Sequence, residues 1–191
     1  MDILAADAGK DIVIENSLVK AVLGADASWK SVVHKGTGRE LVAGQTKFAA
    51  AVFGETHAGH RAGTDANVMD QQKIIAEAAA GRKTIQASRA AFAGGKLIIG
   101  FEGVDCELIY NVATDSETII FRLDGVSGQR PAELELVRLT VAPAEHVGPR
   151  LAAGWDENVA VGLTAINLQT HASSQKKEGH ALITAVTQDF P

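Results

Sequence analysis

The chain has 191 residues, of which 46% are hydrophobic, so it can bury the core of a single domain spanning residues 1–191. Charged residues make up 21% of the chain and the formal net charge is -5, a composition that argues against a disordered chain. No basic run is longer than two residues, and no stretch reaches the roughly 18 apolar residues that a membrane helix needs. We therefore expect a folded domain that binds neither nucleic acid nor membrane.

Most of the chain alternates between apolar and polar residues, which predicts strands that have one face on a core and one in water. Ile12 to Leu23 predicts a hairpin around Asn16-Ser17. Further strands are expected in the segments 97–101, 105–112 and 117–124, separated by short turns. Strands this close in sequence predict an antiparallel meander, so the fold class is all-β, with a sandwich architecture.

Two later segments change phase, since their apolar residues move from one face of the strand to the other. In Glu133 to Val141, Leu134 and Leu136 share one face, whereas the residues from Val137 onward occupy the opposite face. Val159 to Thr170 shows a similar change. A shift of one residue inverts every following side chain, so we expect either a β-bulge or burial of both faces.

The exception to the strand pattern is Ala66 to Gly81, where Asn67 could cap one short helix and Gly81 could end it. A strand over Lys73 to Ala79 remains the alternative, because the alanines favour helix while the surrounding segments favour sheet.

No arrangement of side chains indicates catalysis, a metal or a cofactor. Cys106 alternates in phase with apolar neighbours and is expected to be a small core residue. His57 and His60 are three residues apart, and the acids that follow, such as Asp70, do not have the spacing of a zinc helix or a calcium loop. We therefore assign no catalytic residue, no metal site and no cofactor.

The two tryptophans are the best candidates for a binding site, because each lies in a polar segment. Trp29 lies among Asp, Ser and Lys residues, and Trp155 is followed by Asp156, Glu157 and Asn158. An indole offers a flat apolar face to a sugar ring, while carboxylates and amides can orient its hydroxyl groups. These five residues are the predicted carbohydrate-binding residues; the alternative is that each indole folds back to cover the end of the sandwich.

A family resemblance is carried by several turns and strands. Ile12 to Lys20 is followed by Trp29 to Leu41, and Lys35 to Leu41 matches a K-x-T-G-R-E-L turn. Together they resemble the opening of galactose-mutarotase-like β-supersandwich domains, and Phe121 to Gly128 and Ala153 to Asp156 resemble later parts of the same domain. The resemblance implies an antiparallel β-supersandwich with at most one short helix, of the kind found at the N-terminus of multidomain glycoside hydrolases and polysaccharide lyases.

In function, the resemblance implies a non-catalytic accessory domain that docks on a catalytic domain of the same parent protein and contacts oligo- or polysaccharide. The chain would then be a fragment of a larger carbohydrate-active protein. No histidine lies in a segment that resembles the acid and base motifs of true mutarotases. An aldose epimerase and a free-standing carbohydrate-binding module are the alternatives. The chain shows no signal-peptide pattern, and the parent's compartment is left open, with the periplasm or secretion compatible with the resemblance.

Overall fold

The structure, a computed structural model, describes residues 2–4, 9–54, 81–188 and 190–191. Within these ranges the chain is all-β, as predicted, and its one helical element is a 3-10 turn at Pro149–Leu151. No helix in the described part is long and apolar enough to cross a membrane. The segment from Ala66 to Gly81, for which a helix or a strand was expected, lies outside the described residues except for Gly81. His57, His60 and Asp70 also lie outside them.

The strands form three antiparallel sheets. The first sheet has five strands in chain order: β1 (Asp2–Leu4), β2 (Ile12–Glu15), β3 (Val19–Leu23), β4 (Trp29–His34) and β5 (Arg39–Glu40). A curled sheet of eight strands contains β6 (Ala50–Phe53), β7 (Lys83–Ala93), β8 (Lys96–Phe101), β9 (Cys106–Thr114), β10 (Ile119–Gly128), β11 (Glu133–Val141), β15 (Thr170–Lys177) and β16 (His180–Thr187). The third sheet has three short strands: β12 (His146–Gly148), β13 (Ala153–Trp155) and β14 (Ala160–Gly162).

The eight-stranded sheet has the order β10-β9-β8-β7-β6-β11-β16-β15, so β10 and β15 are its two edges. The predicted meander accounts for β8 to β10, which pair in chain order, and β7 continues the same series before β8. β11 instead pairs with β6 and then with β16. These pairings join distant parts of the chain.

Local turn chemistry explains the tight hairpins. Between β2 and β3, the side-chain oxygen of Asn16 accepts hydrogen bonds from the backbone N–H groups of Leu18 (2.9 Å) and Val19 (2.7 Å). Between β7 and β8, Gly94 and Gly95 have φ values of +58° and +79°. Two consecutive left-handed residues match the twist of the flanking strands and are strained in residues other than glycine. The hairpin predicted around Asn16 is confirmed.

The two predicted phase changes have different outcomes. In β11 the register shifts between Glu135 and Val137, so of the two alternatives expected there the β-bulge is confirmed. The continuous strand expected over Val159 to Thr170 is wrong: β14 ends at Gly162, the chain leaves the sheet, and β15 begins at Thr170. Leu163 still packs partly against the core, whereas Ile166 and Leu168 in the connection are exposed and pair with no described strand. Their spacing resembled a strand although they form a surface loop.

One continuous core lies between the large sheet and the two smaller ones. Trp29, Phe48, Tyr110 and Phe121 form an aromatic cluster in which ring centroids of contacting pairs are 5.2 to 6.3 Å apart. The hydroxyl group of Tyr110 is buried and donates a hydrogen bond to the backbone carbonyl of Leu136 (2.9 Å). The cluster joins β4 of the first sheet to β9 and β10 of the large sheet, and thereby fixes the two layers against each other.

Candidate functional site

The three-stranded sheet presents Trp155 on its outward face. Gly154, the preceding residue, is buried and points inward: a Cβ atom built there would lie 2.9 Å from Cβ of Ala181 and 2.7 Å from the carbonyl oxygen of Pro143. Successive side chains of a strand point to opposite faces. The close approach of β13 to β16 at Gly154 therefore turns the indole of Trp155 away from the core, where it is half-buried.

Three side chains lie together on this outward face. His146 is the cross-strand partner of Trp155, and the centroids of the two rings are 5.7 Å apart with 32° between their planes. Gly148 leaves room beneath them, since a Cβ built there would lie 3.1 Å from Cζ3 of Trp155 and 3.1 Å from Cδ1 of Leu151. Leu151 is 70% exposed. We call Trp155, His146 and Leu151 the aromatic face.

Asp156 was predicted to orient sugar hydroxyls, but both of its carboxylate oxygens have protein partners. One oxygen accepts hydrogen bonds from the backbone N–H groups of Asn158 (2.9 Å) and Val159 (3.1 Å), which closes the turn. The other forms an ion pair with the guanidinium of Arg39, and the side chain is only 8% exposed. The hydrogen bond from Arg39, with those from the turn, lowers the pKa of Asp156. Its carboxylate therefore holds the turn beside Trp155.

Glu157 and Asn158 are exposed at the tip of the same turn. The backbone N–H of Asn158 is used by Asp156, whereas no described residue forms a hydrogen bond with the side chain of either Glu157 or Asn158. These two side chains are the polar groups beside the aromatic face that are available to a ligand.

Trp29, the other predicted site residue, lies elsewhere and is buried. It is 4% exposed, packs against Phe48 and Phe121, and donates a hydrogen bond from Nε1 to the carbonyl oxygen of Arg138 (2.6 Å). The structure does not bring Trp29 together with Trp155 on one surface. Its polar sequence neighbours are the turn before β4, while the ring itself enters the core, so the stacking role expected of Trp29 lacks an accessible ring face.

The K-x-T-G-R-E-L turn stabilises the fold through nearly every polar side chain it contains. Nζ of Lys35 donates to the carbonyl oxygen of Asn16 (2.7 Å), and Glu40 accepts hydrogen bonds from the backbone N–H of Val32 (2.7 Å) and the hydroxyl of Ser31 (2.5 Å). Arg39 reaches Asp156, as described above. The motif thus connects the first sheet to the turn that follows Trp155.

An open cleft elsewhere has polar walls, but its charged side chains already pair with other residues of the protein. This cleft of about 490 Å³ lies beside β4 and includes Asp26, whose pKa is lowered by hydrogen bonds from Ser28 and Lys47. In the same cleft Lys30 pairs with Asp11 (2.6 Å). Among the described residues no group of three His, Cys, Asp or Glu side chains could hold a metal ion. The aromatic face is therefore the best candidate site in the described part of the chain.

The sequence analysis singled out Trp155 as a candidate but not its neighbours on the aromatic face. His146 and Leu151 lie 9 and 4 residues before Trp155, and their proximity depends on the β12–β13 pairing. Such short strands give little periodicity. The comparisons with known proteins identify no family: no protein-family model and no curated protein matches this chain.

Proposed function

We propose that this chain is a non-catalytic accessory domain of a carbohydrate-active enzyme, and that its aromatic face binds a short segment of oligo- or polysaccharide. The observation that carries the proposal is the partly exposed indole of Trp155 beside His146 on an outward-facing sheet. Adjacent rings offer apolar surface to the C–H side of a sugar, and Glu157 and Asn158 at the neighbouring turn offer an acceptor and an amide to its hydroxyl groups.

The accessory role is supported by the resemblance to galactose-mutarotase-like supersandwich domains and by the structural use of the K-x-T-G-R-E-L residues. Two exposed apolar side chains that lie close together in one loop are also available for docking. Ile166 is 72% exposed and Leu168 fully so, and both lie in the connection that follows β14. We propose that such residues contribute to docking on a catalytic domain of the same parent protein.

The expected affinity is low because the site is small. A hydrogen bond to a charged group contributes about 1.5–3 kcal/mol when well made, and ordering and desolvation reduce the net gain. A single tryptophan face with one or two such bonds corresponds to dissociation constants on the order of high micromolar to millimolar. The site is thus suited to holding a polymer near a catalytic domain.

Calorimetric titration of the wild-type chain and of Trp155→Ala with plant and bacterial oligosaccharides tests this proposal. We expect weak binding that is lost in Trp155→Ala and retained in Phe92→Ala, which removes a partly buried aromatic ring from the large sheet. Circular dichroism of each variant verifies that the fold is intact.

Polarimetry on glucose and galactose distinguishes the alternative of an aldose epimerase. We expect mutarotation at the buffer rate. A clear acceleration that a single histidine substitution abolishes would contradict the accessory role, and binding that persists in Trp155→Ala would contradict the assignment of the aromatic face.

A further inference from the structure

The two edges of the eight-stranded sheet differ in chemistry. β15 is polar, carries Gln175 and Lys176, and is contacted by the neighbouring small sheet, since its Ser174 hydroxyl donates to the carbonyl oxygen of Gly148 (3.0 Å). Lysine is the side chain most often used to discourage pairing at an edge strand. β10, at the other edge, has ten residues and contains neither lysine nor proline. Its outer edge pairs with no strand in the described part of the chain.

The core-facing side of β10 is incompletely covered. The corresponding residues of the next strand inward, such as Leu108 and Tyr110 of β9, are fully buried. Phe121, Leu123 and Val126 of β10 face the same core but remain partly exposed. A strip of apolar surface therefore follows the free edge. A further strand beside β10 would cover this strip and would form hydrogen bonds with the unpaired backbone N–H and C=O groups of the edge.

The charges on β10 indicate which strand could pair there. Arg122 and Asp124 are exposed, lie on the solvent face two residues apart, and flank Leu123. In an antiparallel pair with Leu123 opposite Leu123 of a second copy, Arg122 lies opposite Asp124 of that copy, and Asp124 opposite its Arg122. Two identical strands therefore place opposite charges opposite each other when they pair antiparallel, as a two-fold symmetric contact requires.

We propose that β10 is a self-association edge, at which two copies of this chain pair their β10 strands antiparallel around Leu123. Asp124 is held in place by Nδ2 of Asn111 (2.9 Å) and by Lys96, whereas Arg122 forms no ion pair with any described residue and is available to the second copy. Asp124 is also the extra residue of a β-bulge. Because the two-fold axis would pass beside Leu123, each copy would carry this bulge one residue from the axis.

Sedimentation velocity of the full chain tests the proposal. A single strand pair buries less surface than a standard interface. The dimer should therefore form at protein concentrations of roughly 10 to 500 µM, and its affinity should fall with added salt. Arg122→Asp and Asp124→Arg each place like charges opposite each other twice, and we expect each to weaken association by at least about tenfold. Arg89→Asp is the control, because it changes an exposed arginine on an interior strand.

The rescue experiments make the test specific for the register. The double variant R122D/D124R restores both opposite-charge pairs between the copies, although the arginine placed at position 124 no longer pairs with Lys96, and it should associate clearly more tightly than either single variant. An equimolar mixture of the two single variants should form a heterodimer more tightly than either variant forms a homodimer. A chain that stays monomeric up to the highest concentration, or a dimer that persists in both single variants, would overturn the proposal. None of these results depends on glycan binding.

Discussion

Replacing Trp29 should lower the free energy of unfolding more than any substitution on the aromatic face, because the indole of Trp29 lies in the core between two sheets. The ring is 4% exposed, and its centroid is 5.4 Å from that of Phe48 and 6.3 Å from that of Phe121. Its Nε1 donates to the carbonyl oxygen of Arg138, which joins β4 to β11. Trp29→Ala therefore removes core packing, two aromatic contacts and a hydrogen bond between sheets.

The expected magnitude follows from these losses. Truncating a buried tryptophan to alanine costs about 3–5 kcal/mol. For a domain of this size, such a loss lowers the melting temperature by roughly 6–20 °C. Trp29→Phe keeps most of the ring but leaves the Arg138 carbonyl without its donor, which costs about 1–3 kcal/mol. Trp155→Ala, in contrast, removes a ring from the outward face and should cost less than about 1 kcal/mol.

Urea unfolding of the three variants and the wild type, followed by circular dichroism, measures these differences in the free energy of unfolding. Acrylamide quenching of the remaining tryptophan in Trp155→Phe and Trp29→Phe reports the exposure of each indole separately. If Trp29→Ala costs less than about 1 kcal/mol, or if the Trp29 indole is quenched as readily as that of Trp155, the burial described here is wrong.

The other predictions concern β13, the turn beside Trp155 and the single thiol. Gly154→Ala should cost about 1–3 kcal/mol, because its Cβ would overlap the backbone and side chains behind β13, whereas Gly162→Ala, whose nearest contact is 3.3 Å, should cost clearly less in the same urea experiment. Asp156 has a pKa lowered from its ordinary value near 3.8, so the stability it adds is present above that value and is lost as the pH falls through the lowered pKa. Acid titration followed by circular dichroism should therefore show a smaller loss of stability below about pH 4 in Asp156→Asn than in the wild type, and equal slopes would contradict the Arg39 ion pair. Cys106 is buried and its pKa is raised to about 11, chiefly by desolvation, so Ellman's reagent at pH 8 should label it only after unfolding; labelling at the rate of a free thiol would contradict its burial.

The parts of the fold that the sequence predicted are those determined by neighbouring residues. The β2–β3 hairpin and the β8–β9–β10 meander depend on alternation and on turn residues that lie between their strands. The pairing of β11 with β6 and β16 joins distant segments, and local alternation contains no information about which strands will meet. The loop after β14 was mistaken for a strand because Ile166 and Leu168 repeat with period two although nothing covers them.

The candidate site shows the same division. Trp155 was correctly placed at a polar turn, but the sequence could not show that Asp156 is already bound by Arg39, 117 residues away. Nor could it distinguish Trp29 from Trp155, since each lies next to polar residues in the sequence. What separates them is the direction in which each strand presents its side chain, and that direction depends on which sheets pack together.

The central claim, that the aromatic face binds glycan, is tested most directly by the two indole N–H signals of the ¹⁵N-labelled chain, which contains two tryptophans. Trp155→Phe assigns the signals. During titration with oligosaccharide the Trp155 signal should shift progressively and saturably, while the signal of buried Trp29 should stay in place. If no oligosaccharide in a broad panel moves the Trp155 signal, or if both signals move together, the claim is contradicted.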